Sequence, residues 1–158
     1  MTDHRHATVV VGIDGSPESL AALRWALTQG VTLGGSVEVV HSYLPQTLTD
    51  FTFGSPHELH TRSVCMVQEE VTAALAEMTT QPAVLQSSLP GGPAAILLER
   101  AEYASLLVLG AHGRTALRDI VLGEVSATVI RHAPCPVVIV GLDRNIIRYN
   151  HYHRAAAT

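Results

Sequence analysis

Residues 8–13, TVVVGI, decide the fold class of this 158-residue chain. The run is rich in β-branched residues and almost continuously apolar, which is typical of a strand buried on both faces of a parallel sheet. Asp14-Gly15-Ser16 interrupts it, and Pro17 and Glu18 follow at once. Ser16 as an N-cap, proline at the first helical position and an acid in the first turn predict that a helix begins here.

The same alternation of apolar runs and helical patterns continues along the chain. The first helix has Leu20, Leu23 and Leu27 on one face, and Gly30 is its predicted stop. Further strands are predicted at 37–42, 83–88, 105–109 and Val137–Val140, and further helices at 58–78, 93–103 and 125–132. The helix at 58–78 has a predicted buried stripe of Val64, Val67, Val71, Ala74 and Leu75. Five strands alternating with helices predict an α/β fold, an open parallel sheet with helices on both faces.

The charged residues exclude several kinds of chemistry. All ten basic residues are arginine, so the chain has neither the lysine of a Walker A loop nor an amine for Schiff-base catalysis. A formal net charge of −4 argues against nucleic-acid binding, which relies on a basic surface. No nucleophile-elbow, kinase or zinc-protease motif is present. We therefore expect a binding protein and assign no catalytic residue.

The remaining composition predicts one domain at 1–142 and a partly disordered tail at 143–158. No apolar run is long enough to span a membrane, and the polar N-terminus has no signal core, so we expect a cytoplasmic protein. Six of the nine histidines form three sequence pairs, His4/His6, His57/His60 and His151/His153. No pair has the second half of a metal motif, and we predict no metal site. Cys65 and Cys135 are predicted to be buried thiols.

Ligands of open parallel sheets bind beyond the carboxyl ends of the strands, where the strand order reverses. The first and fourth strands are the most apolar and form the predicted central pair. Asp14 follows the first strand, and a glycine-rich loop containing Gly110 and Gly113 follows the fourth. The loop leads through Gly123 into a helix, whose N-terminus offers unsatisfied N–H donors to an anion. These features predict a nucleotide site that needs no lysine.

Three sequence blocks carry a specific resemblance. They are 9–17 (VVVGIDGSP), 110–114 (GAHGR) with its G-x2-G-x9-G spacing, and 131–140 (RHAPCPVVIV). In this order and separation they resemble the universal stress protein family from about residue 6 to residue 141. The resemblance implies strand order 3-2-1-4-5, ATP or a related adenine nucleotide in the crevice beyond strands 1 and 4, a stress-response role and homodimers.

The resemblance also implies roles for individual residues. Asp14 would contact the adenine or ribose, and Gly110 and Gly113 would lie against ribose and phosphate. The helix start would offer phosphate donors. The complete predicted nucleotide site is Gly12, Asp14, Ser42, Leu109, Gly110, Gly113, Gly123, Glu124, Val125 and Ser126.

Two positions depart from the family pattern. Ser42 stands where nucleotide-binding members often have an apolar residue that packs on the base. Glu124 stands where the family signature has Ser or Thr, and it places a carboxylate in the first turn of the phosphate-binding helix. It would repel the phosphates, unless a bound Mg²⁺ bridges the carboxylate to them.

Each predicted site feature also has a purely structural interpretation. The glycine loop could be a tight connection that binds nothing, Asp14 an Asx-turn that caps the first helix, and Glu124 a favourable charge at a helix start. Arg114 and Arg118 are more often solvated in such loops than bound to a ligand. Two functions therefore remain: a nucleotide-binding stress-response module with at most slow ATP hydrolysis, or a dimeric interaction protein that no longer binds nucleotide.

The last predicted strand suggests how the chain would dimerise. Val137, Val138, Ile139 and Val140 are all apolar and would form a sheet edge. Exposed edges of this kind invite pairing, and a twofold mate would cover the edge. The sequence therefore predicts a homodimer through this strand, with an unknown protein partner beyond it. If the chain were monomeric, the tail at 143–158 would have to cover the edge.

Overall fold

A computed structural model describes residues 6–43, 54–111, 123–143 and 146–149. Strands and helices alternate through this part of the chain. They are β1 (Thr8–Gly12), α1 (Pro17–Thr32), β2 (Ser36–Tyr43), α2 (Pro56–Ala76), β3 (Ala83–Pro90), α3 (Pro93–Ala101), β4 (Leu106–Gly110), α4 (Glu124–His132), β5 (Val137–Val140) and β6 (Ile146–Tyr149).

The strands form one sheet in the order β3-β2-β1-β4-β5-β6. β1 to β5 pair in parallel, which confirms the predicted α/β class and the order 3-2-1-4-5. β6 was not predicted: it pairs antiparallel with β5, from Val137 opposite Tyr149 to Val140 opposite Ile146. The expectation that β5 forms an edge is therefore wrong, because part of the tail occupies that edge.

Helices cover both faces of the sheet and divide the core into two clusters. On one face Val9 and Val11 of β1 pack with α1 and α2. On the other, Val10 of β1 packs with α3, α4 and the buried Ile139 of β5. Successive residues of β1 thus enter opposite clusters, as expected for a strand buried on both faces. No helix in the described part of the chain has both the length and the apolar character needed to cross a membrane.

Gly30 does not stop α1, which continues to Thr32. Gly30 is buried, and a Cβ there would meet Val37 Cγ2 at 2.5 Å and Pro82 Cβ at 3.1 Å. It is therefore a site of close packing against the sheet. The chain leaves the helix through Gly34, whose φ of +62° is the left-handed conformation typical after a helix C-terminus.

The buried stripe of α2 is partly different from the predicted one. Val67, Val71 and Ala74 are buried, but Val64 is 40% exposed. Ser63 takes the buried position one turn before Val67, where its hydroxyl lies 2.7 Å from His41 Nδ1 of β2. Ser63, which contacts a histidine of β2, thus takes the buried position expected for Val64. Cys65 is exposed, although the sequence predicts a buried thiol. Cys135 is buried as predicted, and burial raises the pKa of its thiol to about 11.

β2 also buries one acidic side chain, Glu38. Ser87 Oγ of β3 donates a hydrogen bond of 2.8 Å to Glu38 Oε1, and Arg100 Nε of α3 lies 3.6 Å from the same oxygen. The carboxylate is thus held by one hydroxyl and one opposite charge, which offset the cost of burying it.

β6 gives the first test. In an antiparallel pair, successive N–H groups of a strand point alternately toward and away from the partner. The double substitution Ile147→Pro/Arg148→Pro therefore removes a donor to β5 whichever of the two residues supplies it. We expect β6 to detach and the apolar edge of β5 to self-associate, measured by gel filtration with light scattering over a range of concentrations.

The matched control is Ile147→Ala/Arg148→Ala, which shortens the same side chains but keeps both backbone donors. Equal association states for the proline and alanine variants would show that β6 does not protect the edge of β5.

Candidate functional site

A cavity of about 340 Å³ opens at the carboxyl ends of the parallel strands. Its floor includes Val40 of β2 and Leu109 of β4, which are both buried. The first residues of α3 and α4 contribute to its wall through Pro93 and Glu124. The cavity therefore lies beyond the ends of adjacent strands, where the sequence places the candidate site.

Asp14 lies at the mouth of the cavity in a turn that its own side chain organises. Its Oδ1 accepts a hydrogen bond of 2.9 Å from the Ser16 N–H, which makes the predicted Asx-turn. Ser16 is the predicted N-cap of α1 and accepts a hydrogen bond from the Ser19 N–H, and the Asp14 N–H donates to Ser19 Oγ. These bonds hold the Asp14 carboxylate at the cavity, where Asp14 is exposed to solvent.

The start of α4 also lines the cavity. Gly123 is its N-cap and has an extended backbone without a side chain to bond the first N–H groups. Glu124 and Val125 form the first turn, Ser126 is buried, and all four residues line the cavity. The helix end thus presents backbone donors and a partial positive charge to the cavity, next to the carboxylate of Glu124.

Close packing explains two of the predicted glycines. A Cβ on Gly110 would lie 2.5 Å from the Glu18 carbonyl carbon and 2.7 Å from the Ser19 nitrogen, both backbone atoms of α1. A Cβ on Gly12 would meet Leu109 Cδ2 at 2.8 Å. Gly110 therefore allows the start of α1 to approach the end of β4, and this approach forms one corner of the cavity.

The structure brings together almost all of the predicted site. Nine predicted residues line the cavity: Gly12, Asp14, Ser42, Leu109, Gly110, Gly123, Glu124, Val125 and Ser126. Gly113, Arg114 and Arg118 lie outside the described residues. The cavity is also lined by six residues that were not predicted from the sequence: Ile13, Ser16, Ser19, Val40, Pro93 and Leu97. Val40 could have been found from its place near the end of a predicted strand, and Pro93 from its place at the start of a predicted helix.

His41 of β2 and Glu70 of α2 lie close enough to Asp14 to be affected by its charge. Burial lowers the pKa of His41, and the nearby charge of Asp14 opposes part of that shift. Burial raises the pKa of Glu70, and the charge of Asp14 adds to the rise. Glu70 Oε2 is buried and has no hydrogen-bond partner among the described residues. In the described part of the chain, no three His, Cys, Asp or Glu side chains are grouped so that they could hold a metal ion.

With this geometry established, comparison with known proteins identifies the family. The family model described as the universal stress protein family matches residues 6–141, which is most of the chain. The chain belongs to the universal stress protein family. A universal stress protein of Mycobacterium tuberculosis is 31% identical over 144 residues, covering 87% of this chain and 46% of that protein. The chain thus spans about half the length of the curated relatives it matches.

Solved structures of universal stress proteins share the fold. One was determined in complex with cAMP; it is 28% identical, has a TM-score of 0.66, and the match covers 87% of this chain and 98% of that one. Another, from Arabidopsis thaliana with AMP bound, is 19% identical with a TM-score of 0.60, and the match covers 88% of this chain and 92% of that one. At that identity the second likeness concerns the fold alone.

Gly110 gives a prediction about stability. Gly110→Ser should lower the free energy of unfolding by about 1–3 kcal/mol, because the new Cβ overlaps backbone atoms of α1 that cannot rotate away. Denaturant unfolding measures the change. The matched control is Gly92→Ser, since a Cβ at Gly92 meets nothing within 4 Å and serine is a good N-cap for α3. Equal losses at the two positions would contradict the packing explanation.

Glu70 gives a prediction about pH. Its folded-state pKa lies above the ordinary value of 4.5, so the folded protein holds this proton to a higher pH than the unfolded chain does. The ionised carboxylate therefore reduces stability, and the reduction develops as the pH rises from 4.5 through the folded pKa. We expect Glu70→Gln to raise the melting temperature at pH 7 and to have little effect below pH 4.5.

The control is Glu69→Gln, an equal change of charge at the neighbouring exposed position of α2. A lower melting temperature for Glu70→Gln at pH 7 would mean that the Glu70 carboxylate makes a favourable interaction in the folded state.

Proposed function

We propose that this chain is a stress-response module that binds an adenine nucleotide in the cavity beyond β1 and β4. The observation that carries the proposal is that Asp14 and the start of α4, which has no side-chain cap, line the same cavity of about 340 Å³. A carboxylate can accept hydrogen bonds from a ribose or a base, and a helix N-terminus can bind a phosphate. The apolar floor formed by Val40, Leu97 and Leu109 suits a purine ring.

A related universal stress protein supports the ligand class. The relative solved in complex with cAMP is 28% identical to this chain over 87% of its length. The proposed ligands are accordingly ATP or another adenine nucleotide, with or without Mg²⁺. We propose a binding role without a catalytic residue, and at most slow ATP hydrolysis would follow from binding.

The homodimer and the cytoplasmic location are also proposals. The residues proposed for the interface are Val137, Val138, Ile139 and Val140. A dimer through this strand would require β6 to leave β5, because β6 now occupies the hydrogen-bonding edge. Nucleic acid and membrane are not proposed as partners.

Glu124 favours a second candidate function, a dimeric interaction protein of the same fold that does not bind nucleotide. Its carboxylate lines the cavity at the helix end that would receive the phosphates. The two functions differ in one measurement: titration with adenine nucleotides at concentrations up to the millimolar range.

Asp14 provides the test of nucleotide binding. Asp14→Ala should weaken binding of cAMP and ATP by about tenfold or more, because it removes hydrogen bonds to a charged acceptor. Asp14→Asn retains an oxygen for the turn with Ser16 but loses the charge, so it separates a ligand contact from the shape of the turn. Isothermal titration gives the affinities, and mass spectrometry of the denatured protein identifies any nucleotide that copurifies.

The control is Asp143→Ala, an exposed acid that does not line the cavity. Wild type that binds neither ATP, AMP nor cAMP would favour the second function. Equal binding by wild type and Asp14→Ala would remove Asp14 from the site.

A further inference from the structure

We propose that Glu124 makes the cavity selective for adenine ligands with a single phosphate group and disfavours diphosphate and triphosphate chains. The proposal rests on the proposed function and specifies the ligand of that same site. It follows from the charges of the described cavity residues, from the position of Glu124 on α4 and from the exposure of its side chain.

The charges of the described cavity residues are the first observation. Two of these residues, Asp14 and Glu124, are acidic, and none of them is basic. The chain has no lysine anywhere. The other polar residues of the described lining are serines: Ser16, Ser19, Ser42 and Ser126. Hydroxyl groups can satisfy a few phosphate oxygens, but they do not neutralise a long anionic chain.

The end of α4 is the second observation. A helix N-terminus carries roughly half a positive charge, which favours one bound anionic group. Glu124 places a full negative charge in the first turn of that helix. The carboxylate therefore more than offsets the helix charge, while the backbone N–H groups remain able to donate. Gly123 leaves these donors without a side-chain cap, so a single phosphate can still accept hydrogen bonds from them.

The exposure of Glu124 sets the size of the effect. Its side chain is exposed, so its repulsion of a ligand is close to that between charges in water. Each negative ligand charge about 4 Å from the carboxylate then lowers the affinity of the ligand about fivefold. ATP carries roughly two more negative charges than AMP, and these lie on the distal phosphates. Screening by salt reduces the combined effect to about tenfold at ordinary ionic strength.

The experiment compares adenosine, AMP and ATP by isothermal titration, first in EDTA and then with Mg²⁺. The proteins are wild type and Glu124→Gln, which removes the charge with little change of shape. We expect wild type to bind AMP about tenfold more tightly than ATP in EDTA. Glu124→Gln should reduce this ratio severalfold by tightening ATP, with little change for adenosine, and the gain should shrink in high salt.

Two further variants make the result specific. Glu99→Gln makes the same change in net charge at an exposed position of α3 that does not line the cavity, and it should leave the ratio unchanged. Glu124→Ser supplies the hydroxyl of the family signature and should tighten ATP at least as much as Glu124→Gln. Thermal unfolding of all variants checks that the fold is intact.

Three results would overturn the proposal. An AMP-to-ATP ratio that is the same in wild type and Glu124→Gln would remove Glu124 as the source of selectivity. Weaker Mg²⁺-ATP binding by Glu124→Gln would mean that the carboxylate holds a cation. If adenosine and AMP bind, either of these two results overturns only the selectivity. The third result, a complete absence of binding by every protein, overturns the proposed function and the selectivity together.

Discussion

The parallel pairing of β1 between β2 and β4 is the constraint on which the rest of the structure depends. Because the strands run in parallel, their carboxyl ends all lie at the same end of the sheet. Both faces of such a sheet are covered by helices. β1 meets this demand with Val9, Val10 and Val11, which fill both core clusters. The same pairing brings Asp14 and Gly110 together at one side of the sheet. The position of the candidate site thus follows from the strand pairing that forms the core.

Much of the fold could be predicted because its signals are local. A continuous apolar run such as 8–13 and a Ser-Pro-Glu start such as 16–18 specify a strand and a helix within a few residues. β6 was missed because its stability comes from pairing with β5, which no local pattern reveals. Val64 was misplaced because Ser63 is buried through its contact with His41, and such a partner becomes visible only when α2 crosses β2.

The candidate site divides in the same way. Residues directly after strands or at helix starts, such as Asp14 and Gly123, could be placed from the rule that ligands bind beyond strand ends. Leu97 could not, because it lies in the middle of α3 and lines the cavity only once that helix packs on the sheet. The reason for Gly110 was also incomplete. The sequence predicts that Gly110 closely approaches a ligand, whereas in the structure it closely approaches the backbone of α1.

Glu38 has a consequence for how the sheet assembles. β3 is an edge strand whose alternation of apolar and polar residues is weak, and Leu85 remains 59% exposed, so hydrophobic burial alone does not fix its alignment with β2. A slip of one residue would turn Ser87 to the opposite face and leave the buried Glu38 carboxylate without its hydroxyl donor. The buried charge therefore penalises misaligned pairing of β3 with β2.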